Sequence, residues 1–214
     1  MTDPQISSRR PKTPTQERGE RRVADLLRAA EQLFAETGYE ATTMSGIAQL
    51  AGASIGSLYQ FFPSKESIGS ALLLGYMDEL NAQLGQWKTT LPATPRAFGQ
   101  QLITLVFDYV SARPTCQVLA ETPSLVPKSY GMEKLSVSVQ DLLATFAPTV
   151  GEAELSAIAL AAAFMVRAAV QGSRLLDAER GAALRREIQQ ALGGYFEERL
   201  RAAVGAAAKT LIGR

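Results

Sequence analysis

Apolar residues recur at helical spacing along most of this chain. Val23, Leu26, Leu27, Ala30, Leu33 and Phe34 fall three or four apart, which lays one apolar stripe along a helix. The stripe stops at Gly38, a residue that takes the left-handed cap conformation without a Cβ clash. Met44, Ile47, Ala48 and Ala51 line a second, short helix, with Thr42 or Thr43 available to cap its free N–H groups. Gly52 then turns the chain, Ser54 offers a new N-cap, and a third helix of roughly two turns runs through Leu58 and Tyr59. Two short helices joined by a tight, glycine-containing turn have the pattern of a helix-turn-helix.

The remaining pattern is also helical. Ser64 is placed to cap a long helix reaching about Trp87, with Ile68, Ala71, Leu72, Gly75, Tyr76, Glu79 and Leu80 on one side. Pro92 and Pro95 break the chain before a helix over 95–112 that carries Phe98, Leu102, Leu105, Val106 and Tyr109. Pro114 starts a brief helix to Glu121, and Pro123 and Pro127 bracket a loop. Three more helices are predicted, over Lys128 to Phe146, Glu152 to Leu176 and Glu179 to Ala207. With no strand alternation or repeat, the expected fold is all-α with about nine helices. Residues 1–19, rich in Pro, Thr, Ser, Gln and Arg, are expected to be a disordered basic tail. Such a tail is either solvated or an arm that reaches an adjacent groove.

Within the first third, Thr42-Thr43-Met44, Ile47-Ala48, Ala51-Gly52, Ser54, Gly56, Leu58-Tyr59 and Phe62-Pro63-Ser64-Lys65-Glu66 fall in one order without a gap. In that order and spacing the segment resembles the TetR family of transcriptional regulators. The resemblance implies a DNA-binding domain at 20–66 that binds operator DNA as a dimer. It further implies a C-terminal helical domain, 67–214, that dimerises and holds a small-molecule pocket. Tyr59 would contact a phosphate, and Thr43 and Lys65 would be phosphate clamps. The plainer readings are a packing role for Tyr59, a helix cap for Thr43 and a solvated lysine for Lys65. On the recognition helix itself, Leu58 should point inward, leaving Ser54, Ile55, Ser57 and Tyr59 to face DNA. Gly56 leaves room for close backbone approach. Ile55 departs from the family, which commonly has Lys or Arg there. An exposed isoleucine would pack on a thymine methyl group; an inert or core-facing isoleucine is the other reading.

Composition narrows the chemistry. The chain has 214 residues, 46% of them hydrophobic, enough to bury a core without disulfides. Cys116 is the single cysteine and histidine is absent, which removes the thiolate cluster and the commonest metal ligand and general base. No metal or cofactor is called for, and an enzyme would be left with carboxylate or lysine chemistry. Glu152/Glu154 and Glu197/Glu198 look like surface charge rather than acid–base pairs. The first 22 residues have no apolar core segment, and the apolar run Leu155–Val170 contains Ser156 and Arg167 and is shorter than a membrane span. The expectation is a soluble cytoplasmic protein with no membrane partner. Net charge is +1, but residues 1–22 carry six cations against three acids, and residues 23–69 two against five. The helix-turn-helix is therefore not basic overall, and its non-specific hold on DNA should be modest.

Two further expectations concern the C-terminal half. Leu155–Val170 is apolar nearly all round, and Ile188, Leu192, Tyr195 or Phe196, Leu200 and Val204 form a stripe on the last helix. These two helices are assigned to a four-helix homodimer contact, intrachain core being the alternative. Phe98, Leu102, Tyr109, Met132, Phe146, Phe164 and Arg167 are candidate lining for an effector pocket, with Cys116 also at an inward position. Arg167 would either pair with Asp108, Glu121 or Asp141, or hold an acidic effector. The ligand would be apolar or amphipathic. The competing view is a helical effector-binding or interaction protein that keeps the helix-turn-helix only as scaffold.

Overall fold

A computed structural model describes residues 14–122, 124, 125 and 128–212. Those residues form nine α-helices and one 3-10 turn, with no strand among them. The helices are α1 (Pro14–Thr37), α2 (Met44–Leu50), α3 (Ile55–Phe61), α4 (Lys65–Trp87) and α5 (Pro95–Ser111), followed by α6 (Pro114–Glu121), α7 (Lys128–Phe146), α8 (Glu152–Leu175) and α9 (Ala178–Ile212). The all-α class expected from the sequence is the observed one. One expectation is corrected: residues 14–19, assigned to a disordered tail, are the first turns of α1. Proline is tolerated in the first turn of a helix because its missing N–H has no partner there in any case. The rest of the expected tail, residues 1–13, lies outside the described residues, as do Pro123 and Pro127.

The chain divides into two compact units, Met1–Gly69 and Ser70–Arg214, with the boundary inside α4. In the first unit, α1 packs on α2 and α2 on α3. Leu26, Ala30, Phe34, Ile47, Leu58 and Ile68 are its fully buried apolar residues among those described. Gly38 (φ 84°) and Gly52 (φ 59°) hold the two left-handed positions that end α1 and turn α2 into α3.

In the second unit the main packing pairs are α5 with α9, α7 with α8, and α8 with α9. Phe98 sits at the hub. Its ring stacks on Trp87 at 5.1 Å and 4°, and meets Phe196 at 5.2 Å and Phe146 at 6.0 Å. α8 has the length and apolarity of a bilayer span. It lays Leu155, Ile158, Ala159, Ala162, Ala163, Val166 and Ala169 into the core instead, and Ala at four of these positions lets neighbouring helices come close. Ion pairs such as Arg96–Glu197 (2.7 Å) and Arg199–Glu154 (3.2 Å) trim the seams. They are largely exposed and contribute little to stability.

The α5–α9 seam is tight enough to specify a residue. A Cβ on Gly99 would stand 2.9 Å from the Leu192 carbonyl and from the Phe196 ring, whereas one on Gly85 in α4 meets nothing. Gly99→Ala is therefore expected to lower stability by about 1–3 kcal/mol, the usual cost of overpacking. Gly85→Ala should be neutral or raise stability by up to ~1 kcal/mol through helix propensity. Urea unfolding of the two variants beside the parent chain checks the contrast.

Candidate nucleic-acid interface and effector cavity

α2 and α3 are seven residues each, too short to persist alone, so their caps and buried faces decide their geometry. Thr43 is the cap of α2: its Oγ1 accepts from the Gly46 N–H at 3.1 Å. Thr42 is buried, its hydroxyl donating to the Gly38 carbonyl at 2.8 Å and lying 3.1 Å from the Thr37 hydroxyl, which ties down the end of α1. Ser54 caps α3 by accepting from the Ser57 N–H at 3.2 Å. Leu58 is fully buried and anchors α3 from below.

The opposite side of α3 is open. Ile55 is 42% and Tyr59 52% exposed, Ser54 and Gly56 are exposed, and Ser57 is half-buried. The structure thus brings Ser54, Ile55, Gly56, Ser57 and Tyr59 together on one short helix and its cap, with Ile55 outward rather than in the core. Gly56 has an ordinary negative φ, and a Cβ there would meet nothing in the chain. Neither conformation nor internal packing accounts for a glycine at that position. Leu50 and Phe61, also exposed, went unnoticed in the sequence because each continues an apolar run.

Lys65 is placed differently from a solvated lysine. Its ammonium donates to the carbonyls of Tyr39 (2.7 Å) and Glu40 (3.0 Å) and lies 4.6 Å from the centre of the Tyr39 ring. It therefore braces the α1–α2 turn and retains one N–H for any further partner. Ser64 and Ser67 exchange backbone-to-hydroxyl bonds at 3.3 and 3.2 Å where α4 begins.

The second unit contains a cavity of about 200 Å³. Of the residues proposed to line a pocket, Tyr109, Met132 and Arg167 do so. Phe98 and Leu102 do not: both are fully buried in the α5 core, where neighbouring rings and aliphatics consume their surface. Phe146 packs on Phe98 from the far side of that core, and Phe164 is 55% exposed on the outer face of α8. The wall is built instead from Leu73, Tyr76, Met77 and Leu80 of α4, Val106 of α5, Cys116 and Leu119 of α6, Leu135 of α7 and Val166 of α8, among others. The missed α4 residues stand at i, i+3, i+4 and i+7, a periodic stripe readable in the sequence.

The polar groups around this cavity are ordered. The Tyr109 hydroxyl donates to the Tyr76 carbonyl (2.9 Å) and to Glu79 (2.8 Å), and Arg113 pairs with the other Glu79 oxygen at 2.9 Å. The Tyr109 and Arg113 hydrogen bonds hold the Glu79 carboxyl below its usual range, and burial followed by the bond to Glu79 keeps Tyr109 protonated. Glu121 pairs with Arg174. Burial pushes the Cys116 thiol up to about 11. Among the described residues no group of three or more His, Cys, Asp or Glu could hold a metal ion.

A capped, two-helix unit with a buried floor and an open, glycine-bearing second helix defines a helix-turn-helix domain. Comparison with known proteins places it more closely. Residues 26–72 match the family of bacterial regulatory proteins described as the tetR family. The HTH-type transcriptional repressor KstR2 of Rhodococcus jostii is 38% identical over 93 residues, covering 42% of this chain and 44% of that protein. The alignment therefore spans less than half the length of this curated relative. A tetR-family regulator of Mesorhizobium loti has a similar fold, with TM-score 0.64, 19% identity and coverage of 83% of this chain and 96% of that one. SmeT, solved with triclosan, is similar at TM-score 0.57 and 21% identity over 80% of this chain and 90% of that one.

Two outcomes follow from these contacts. Lys65→Met removes a charged donor to two carbonyls and should lower the stability of the first unit by about 1–2 kcal/mol, measurable by hydrogen exchange at the α1–α2 turn. The Cys116 thiol, ionising near 11, should alkylate with iodoacetamide at pH 8 at least ~100-fold more slowly than a free thiol of pKa ~8.5. Its rate should climb only as the pH approaches 11.

Proposed function

We propose that the chain is a cytoplasmic, non-enzymatic transcriptional regulator, a repressor, that binds a pseudo-palindromic operator as a homodimer and is released by a small apolar or amphipathic effector. The observation that carries this reading is the outer face of α3. It presents Ile55, Tyr59 and a glycine that the chain itself does not require. The repressor sense draws on the naming of KstR2, a curated relative 38% identical over 93 residues. Ser54, Ser57 and Thr43 supply hydroxyls for bases or phosphates, Tyr59 a phosphate contact, and Lys65 its remaining N–H. Ile55 packs on a thymine methyl group.

Dimerisation is supported by Leu160 and Phe164, 44% and 55% exposed and one turn apart on the outer face of α8. Exposed large apolar residues in such a stripe suit a symmetric helix–helix contact made with α9. Two recognition helices then read half-sites about one helical turn apart, ~34–36 Å. An effector in the α4–α8 cavity acts by preferring one arrangement of the dimer, and its leverage cannot exceed that preference. The acidic balance of residues 23–69 is the feature that suits the scaffold-only alternative, which would show weak, salt-insensitive DNA binding.

Affinity selection on fragmented genomic DNA from the source organism should enrich an inverted repeat; a folded protein that enriches none contradicts the reading. On that site, Ile55→Ala should relax the preference for T at one position of each half-site, and unchanged preference at every position removes the methyl contact. Phe164→Glu should convert a dimer to a monomer in sedimentation velocity and leave the helical content intact.

A further inference from the structure

The cavity in the second unit carries an unbalanced positive charge. Its wall is mainly aliphatic, with Leu73, Met77, Leu80, Leu135 and Val166 prominent. Arg167 reaches this wall from α8, half-buried, and among the described residues it has no hydrogen-bond or ion-pair partner. The carboxylates that could have neutralised it are committed elsewhere. Glu121 pairs with Arg174, Asp108 with Arg185 at 3.8 Å and Asp141 with Lys88 at 2.8 Å. Glu79, bonded to the Tyr109 that lines the cavity, is held by Arg113. One turn further along α8, Gln171 also lines the cavity and also has no hydrogen-bond partner among the described residues.

A guanidinium presents a fixed fork of N–H donors, so one left without a partner at a cavity wall is ready to take an acceptor. With those carboxylates engaged, the Arg167 charge lies beside a mainly aliphatic wall with no acid to match it among the described residues, which is costly unless something compensates it. A leucine or glutamine would fill the same space without that cost. The planar guanidinium fork matches a carboxylate through two parallel hydrogen bonds, and the Gln171 amide adds a neutral donor beside it.

We propose that this cavity binds a small amphipathic monoanion, its carboxylate against Arg167 and Gln171 and its apolar body against the aliphatic wall formed by α4, α7 and α8. A single negative charge is specified because a single cation is unmatched. A phosphate ester with two charges would leave one of them facing hydrocarbon. This deepens the proposed function by naming the class of effector, and it rests on that reading only for the ligand's role, since binding itself needs no DNA.

The test is calorimetric titration of the full chain with octanoate, octanamide and octylamine, which share a body and differ in the head group. Octanoate should bind at least about 10-fold more tightly than octanamide, the gain expected of a charge-assisted bidentate bond over a neutral one, and octylamine should bind most weakly. Arg167→Gln should erase the difference between octanoate and octanamide, and Arg167→Lys should keep part of it. Equal affinities, a preference for the amine, no binding of any probe, or an undiminished preference in a folded R167Q chain would each overturn the proposal. The three-probe comparison on the unaltered chain decides the matter even where R167Q does not fold. Octanoate selectivity in a chain that binds no DNA would sustain this inference and sink the proposed function. An enriched operator with no head-group preference would do the reverse.

Discussion

Helices of seven residues do not hold themselves together in water, because the cost of nucleating a helix is recovered only over several turns. Everything presented by α2 and α3 therefore depends on what fixes them from outside. Their geometry rests on buried anchors, Ile47 and Ala48 in α2 and Leu58 in α3, and on two hydroxyl caps, Thr43 and Ser54. The left-handed Gly52 fixes the angle between them. Lys65 adds a brace from the start of α4 to the turn that precedes α2. A rigid floor of this kind leaves the upper surface of α3 free of structural duty, so its residues can be chosen for what they touch.

The second unit solves a different problem. Its helices are long, and their packing is set by how closely backbones approach. Gly99 lets α5 come into contact with the Leu192 backbone of α9, and Phe98, Trp87, Phe146 and Phe196 fill the adjoining space. α8 is the helix with two apolar sides. One is consumed by the core, and the other exposes Leu160 and Phe164. At the edge of its buried side Arg167 faces a cavity where a core helix would ordinarily carry another aliphatic residue. The two unusual features of this unit, an apolar outer stripe and a guanidinium without a partner among the described residues, thus lie on one helix.

Much of this was legible in the sequence because it depends on local chemistry. Pro95 and Pro114 start helices where a proline costs nothing, Gly38 and Gly52 take left-handed turns, and Ser54 sits one residue before α3. The inward placement of Leu58 followed from the same periodicity. The pocket was much less legible. Phe98, Leu102 and Phe146 occupy stripes indistinguishable in pattern from those of Tyr109 and Met132, yet the first three fill space and the last two border it. A cavity is a shortfall of atoms shared among several helices, and no single helix's period encodes it. Lys65 was obscure for a related reason, since its acceptors are backbone carbonyls some 25 residues upstream. Arg167 stood out as a charge in an apolar run, but its lack of a partner emerged only when Asp108, Glu121 and Asp141 were each found engaged.

In the proposed function, sequence discrimination resides in α3 and its cap while the domain around it offers little attraction to DNA in general. The direct measurement is fluorescence anisotropy of the purified chain on its selected operator and on a scrambled duplex of equal length, both at ~150 mM salt. A preference of ~10³-fold or more for the operator is expected, the range of specific binders, with weak binding to the scrambled duplex. Equal affinity for the two duplexes would contradict it.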